Sequence, residues 1–89
     1  MSENEVPCGI YQHYKVGDFY EVIGSARHSE TCEEMVIYIA LYNCKIYGRN
    51  QVWVRPKAMF IENVVHEEYM GPRFKLIQEK NRVSHSLLF

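Results

Sequence analysis

Eighty-nine residues suffice for one domain with a single small core, and 47% hydrophobic with 24% charged residues excludes a disordered chain. A net charge of −1 excludes a strong electrostatic footprint for nucleic acid over the whole molecule. Seven Tyr, four Phe and one Trp among many Val and Ile favour strands over helices.

The charge is unevenly placed. Residues 1–34 hold seven acids and two bases, whereas residues 35–89 hold eight bases and four acids, so any basic patch is local to the second part. Cys8, Cys32 and Cys44 are odd in number and lack a C-x-x-C pair, which reads as reduced thiols in a cytosolic protein. The opening MSENEVP is acidic and polar, unlike a targeting peptide, and no apolar run approaches the roughly 20 residues that span a bilayer. A soluble cytoplasmic protein is expected, with no membrane contact.

In chain order, residues 1–8 read as a mobile leader with nothing to anchor it to a core. Residues 10–14 form a first strand with Tyr11 and His13 on one face. Lys15-Val16-Gly17-Asp18 turns the chain, Gly17 supplying a positive φ without steric cost. A second strand over 19–26 offers Tyr20, Val22, Gly24 and Ala26 to the core, with Gly24 marking a bend or bulge. Residues 27–34 are too polar for a strand, and the capping-box pattern Thr31-Cys32-Glu33-Glu34 closes one helical turn at most.

Residues 35–42, MVIYIALY, read as a central strand buried on both faces. A polar loop or hairpin tip over 43–50 follows, built around Gly48 and Asn50. A fourth strand over 51–55 alternates Val52 and Val54 against Trp53 and Arg55, and Pro56 ends it and starts a single helical turn over 57–60. Extended chain over 61–65, a polar connection over 66–69, a Gly71-Pro72 turn and a last strand over 73–77 complete the domain. The division is therefore a leader (1–8), one β domain (9–77) and a tail (78–89) with weak helical spacing through Val83 and Leu87.

Several blocks of this chain resemble, in order, a family of small, mostly bacterial proteins known as domain-of-unknown-function family number 1653. They are Gly9-Ile10-Tyr11-Gln12-His13-Tyr14-Lys15, Ala26-Arg27-His28-Ser29-Glu30-Thr31, Val36 to Tyr38 with Leu41-Tyr42, and Trp53-Val54-Arg55-Pro56 through Met59-Phe60. The resemblance covers about residues 9–74 and departs in a longer stretch from Asn43 to Gln51 and in the tail. It implies a mainly β fold, a small SH3-like barrel or roll of about five strands with one short helical turn. It implies no activity, and fold analogy alone assigns none.

Chemistry-bearing residues gather in two places. His28, Ser29 and Glu30 share the polar loop, and His13 lies on the strand entering the same hairpin. His13, His28 and Glu30 have the donor types of a divalent metal site, although a spacing of fifteen between the two His matches no ligand pattern, so no metal is assigned. Ser29 beside His28 lacks a demonstrable orienting acid and reads as a turn residue. Trp53 and Arg55 share a strand face and offer an aromatic and guanidinium platform for a base, phosphate or carboxylate; otherwise Trp53 is core and Arg55 pairs with Glu30 or Glu33. Tyr11, Tyr14, Tyr20, Tyr38 and Tyr42 line a groove or form cross-strand pairs, and Met59 and Phe60 plug the core.

The leading expectation is a noncatalytic module binding a small molecule or protein through His13, Arg27, His28, Glu30, Trp53 and Arg55 at one end of the barrel, without a cofactor. One alternative is a metal-assisted hydrolase or nucleotide-modifying enzyme using His13, His28 and Glu30. Another is single-stranded nucleic-acid binding, which the acidic first third disfavours. The chain is expected as a monomer or a homodimer, the apolar Leu87-Leu88-Phe89 suiting self-association.

Overall fold

The structure, a computed structural model, describes residues 5–80. Within them nine strands and one short helix follow one another as β1 (Gly9–His13), β2 (Phe19–Arg27), β3 (Glu34–Ala40), β4 (Asn43–Cys44), β5 (Gly48–Arg49), β6 (Val52–Pro56), α1 (Lys57–Phe60), β7 (Asn63–His66), β8 (Tyr69–Pro72) and β9 (Phe74–Glu79). The fold is mainly β. Its body is one antiparallel sheet in the order β6-β3-β2-β1-β9, made from the five strands that the alternating pattern marks.

Gly17 turns β1 into β2 with φ of 79°, and Gly24 coincides with a register shift between Val22 and Gly24, the expected bulge. The bulge changes which side of β2 faces inward. Ala26, expected in the core, is therefore exposed, as are its neighbours Ser25 and Arg27. β3 differs too: Val36, Tyr38 and Ala40 are buried, whereas Met35, Ile37 and Ile39 on the opposite face are only half-covered. A run apolar on both sides is thus fully buried on one.

Two short hairpins leave the sheet. β4 and β5 form the anticipated tip, with positive φ at Gly48 and Asn50. β7 and β8 form a second hairpin in place of the expected polar connection and turn, and Gly71-Pro72 lies within its returning strand. Its two-residue turn is Glu67-Glu68, with Glu67 at φ 55°, a conformation that sequence flags only when Gly or Asn carries it.

No ladder joins β6 to β9 among the described residues, so the sheet has an open seam. Aromatic side chains close it. Phe60 of α1, 2% exposed, stacks on Phe74 of β9 at 4.4 Å and meets Tyr38 of β3 edge-on at 5.5 Å. Tyr11, Tyr20, Val22, Val36 and Ala40 complete the core. Met59, expected to plug the core with Phe60, is instead half-exposed because α1 presents only Phe60 inward.

The expected leader is anchored in its second half. Val6 packs against the core, Cys8 is buried, the Tyr11 hydroxyl donates to the Pro7 carbonyl at 2.7 Å, and the Lys80 N–H donates to the Cys8 carbonyl at 2.9 Å. A segment short of strand pattern is still held by two small apolar side chains and two carbonyls. β9 extends to Glu79, so the sheet claims the first residues of the expected tail. The Val83 and Leu87 spacing and the apolar Leu87-Leu88-Phe89 lie outside the described residues. Among the described residues no helix is long and apolar enough to cross a membrane.

Candidate binding site

The six residues singled out in the sequence fall into three groups. His13 and Arg55 converge, although they come from β1 and the far edge strand β6. The His13 ring meets Phe74 edge-on at 5.1 Å, and the Arg55 guanidinium carbon stands 5.4 Å over the same ring. Trp53 shares the inner face with Arg55, paired across from Tyr38, but turns to Tyr47 at 5.6 Å and packs on the core. Arg27, His28 and Glu30 stand elsewhere, at and just past the other end of β2.

That polar loop is self-contained. The His28 Nδ1 accepts the backbone N–H groups of Glu30 at 3.1 Å and Thr31 at 3.3 Å, the His28 backbone N–H donates to the Glu33 carbonyl, and the His28 carbonyl accepts the Cys32 N–H at 2.8 Å. The Arg27 guanidinium donates to the Cys32 carbonyl at 2.8 Å, and Thr31 Oγ1 accepts the Glu33 N–H. The capping-box pattern thus yields one hydrogen-bonded turn, with Cys32 at φ 64°, and no helix. These contacts give His28 a structural part in the turn, its ring nitrogen replacing water for two backbone N–H groups.

His13 and His28 are separated by the nine residues of β2, about 30 Å of strand at 3.3 Å per residue. They cannot share a metal or act as an acid–base pair on one substrate, which removes the geometry that the enzyme alternative required. Among the described residues no three His, Cys, Asp or Glu side chains gather in a metal-binding group.

The mouth around His13 is built differently. His13 stacks on Tyr14 at 5.1 Å, and Tyr14 stacks on Tyr69 of the β7–β8 hairpin at 5.1 Å and meets His66 at 6.1 Å. This aromatic file runs from the projecting hairpin to Phe74. Phe74 is its hub, 6% exposed and touching His13, Tyr20, Tyr38, Phe60 and Arg55. Burial holds the His13 pKa below its ordinary 6.5, and the charges of Arg55, Arg73 and Lys15 push the same way against Asp18. The ring is therefore neutral near pH 7. Its Nδ1 accepts the Lys15 N–H at 3.1 Å, so the proton resides on Nε2, which is left as a donor.

The described cations differ in one respect. Lys57 reaches Glu34 at 3.5 Å, Arg73 reaches Glu62 at 3.0 Å and Lys80 reaches Glu21 at 3.0 Å. Half-buried Arg55 has no such carboxylate among the described residues; Glu30 and Glu33, its anticipated partners, belong to the distant loop. Arg73 Nε is also buried without an acceptor there. Deeper in, burial pushes the Tyr11 hydroxyl up to about 12, and burial with the 3.1 Å hydrogen bond to Tyr42 raises Tyr20. These phenols are structural.

Sequence reasoning finds His13 and Arg55 through the strand faces they occupy and places Tyr14 among groove-lining tyrosines. It misses Phe74, Arg73 and Tyr69. Nothing local distinguishes Phe74 from any strand Phe, and the Tyr14–Tyr69 stack depends on the unforeseen hairpin.

The family model described as "protein of unknown function (DUF1653)" matches residues 9–76. A crystal structure of a protein of that family from Bordetella bronchiseptica is similar to this chain, with 31% identity and a TM-score of 0.75, over 90% of this chain and 97% of that one. No curated protein matches the chain.

Proposed function

The chain belongs to the DUF1653 family, and from its geometry we propose that it is a noncatalytic binding module, an SH3-like roll whose recognition site is the mouth between His13, Arg55 and Phe74. One observation carries this reading. Arg55 lies half-buried on an aromatic ring, near a His13 whose Nε2 is left as a donor, and unlike neighbouring Arg73 it has no carboxylate partner among the described residues. A planar guanidinium held this way has its forked donors free for a ligand, beside a file of aromatic rings. The three free cysteines suit a reducing cytoplasm.

The test is a thermal-shift screen of wild type, His13→Gln, Arg55→Gln and His28→Ala against small molecules, nucleotides, short oligonucleotides and peptides. A ligand that binds the native state raises Tm. The expected hit stabilises wild type and His28→Ala and fails on both mouth variants. A hit retained by the mouth variants but lost in His28→Ala would move the site to the polar loop and overturn the reading.

A further inference from the structure

Resting on the mouth as the binding site, we propose that its ligand presents a carboxylate, held between the Arg55 guanidinium and the Nε2–H of His13. Both groups are donors with no acceptor among the described residues, and they meet over one ring, Phe74. A carboxylate has two coplanar acceptor oxygens, which match the guanidinium fork and leave lone pairs for the imidazole N–H.

The charge balance chooses a carboxylate over a dianionic phosphate. Arg73 is neutralised by Glu62 at 3.0 Å, and near His13 the charge of Lys15 is opposed by that of Asp18. Arg55 remains as the half-buried cation of the described mouth without a carboxylate partner, Lys15 being exposed to solvent, and one negative charge balances it. A second would be half-buried without a partner, which costs more than it returns. The apolar floor of Phe74 and Phe60 and the Tyr14–Tyr69 stack exclude water from one side, which strengthens the single ion pair.

Proton linkage follows from the same geometry. The groups facing His13 are Arg55 of β6, Arg73 before β9, Lys15 and Asp18 of the turn, and Tyr14, which carries His66 behind it. A carboxylate placed among them favours the charged imidazolium, so binding tightens as pH falls through the His13 titration.

The experiment follows the His13 imidazole by NMR while benzoate, its neutral counterpart benzamide, and phenyl phosphate are titrated separately into the full chain. Benzoate is expected to shift the His13 resonances and raise its pKa, with at least tenfold weaker binding in Arg55→Gln; benzamide is expected to be silent. Arg55→Lys, which keeps the charge and the ring contact but loses the fork, is the second variant and is expected to bind with intermediate strength. Capped tripeptides with a free C-terminus, with an internal Glu, or amidated throughout separate a small organic acid from a peptide carboxylate; tighter binding of either free acid supports the class and names its source. Equal binding of benzamide, preference for phenyl phosphate, or silence of every free acid would overturn the carboxylate while the mouth still stands. Binding that leaves His13 unmoved and shifts residues 27–33 would instead overturn the mouth itself.

Discussion

The two ends of β2 carry similar residues to opposite effect. At one end, Arg27, His28 and Thr31 direct their polar atoms to the backbone of their own loop, where each finds a partner within 3.3 Å. At the other, Arg55 and His13 are brought together from distant strands and keep donors without an acceptor among the described residues. Polarity alone does not make a site. Both histidines accept a backbone N–H two residues on, and what distinguishes the mouth is that packing brings His13 together with an arginine from a distant strand over one aromatic ring.

The severest way to break this contrast is to remove what positions the mouth. Phe74→Ala empties a core position that five other side chains touch, at an expected cost of about 3–5 kcal/mol by denaturant unfolding. A loss below about 1 kcal/mol would mean that Phe74 is not the hub. Gly9→Ala comes next, because Gly9 has φ of 150° and a Cβ there would overlap the Gln78 carbonyl oxygen of β9. It should destabilise by about 2 kcal/mol or more, seen as early amide exchange of β1 and β9.

His28→Ala sharpens the comparison from the other side. It orphans two exposed backbone N–H groups and should cost about 1 kcal/mol of stability in chemical denaturation, with no loss of binding. The pH dependence is smaller still. The folded-state His13 pKa lies below 6.5, so the unfolded chain takes up its proton first as pH falls. Its contribution is fully present above pH 6.5 and is lost as pH drops through that value towards the lowered one. Tm should therefore decline on acidification, and His13→Gln should flatten that part of the slope. Gly24→Ala should change stability by less than about 0.5 kcal/mol, since Gly24 has no positive φ and a Cβ there meets nothing within 4 Å.

The frame is legible in the sequence because alternation, turn glycines and Pro56 act locally. Gly17 and Gly24 announce a turn and a bulge, and Pro56 starts the helical turn whose Phe60 fills the seam. Ala26 escapes such reasoning because a bulge at Gly24 reverses the facing of everything after it, a shift that periodicity carried straight through does not register. The β7–β8 hairpin is hidden because its turn uses Glu67 rather than Gly. Half of the mouth is visible, His13 and Arg55 each lying on an inward strand face. Their meeting is not, because it depends on the sheet curling until β6 reaches the side chain of Phe74 on β9. His28 illustrates the converse: a His that ties its own loop and a His set beside an arginine from a distant strand have similar letters around them.

The most direct test of the mouth as the binding site is a two-dimensional amide NMR screen of the full chain with a fragment library, asking where binding shifts the spectrum. Hits are predicted to perturb amides around His13, Arg55 and Phe74 and to leave residues 27–33 unmoved. Hits that gather on the loop at His28, with the mouth silent, would contradict it.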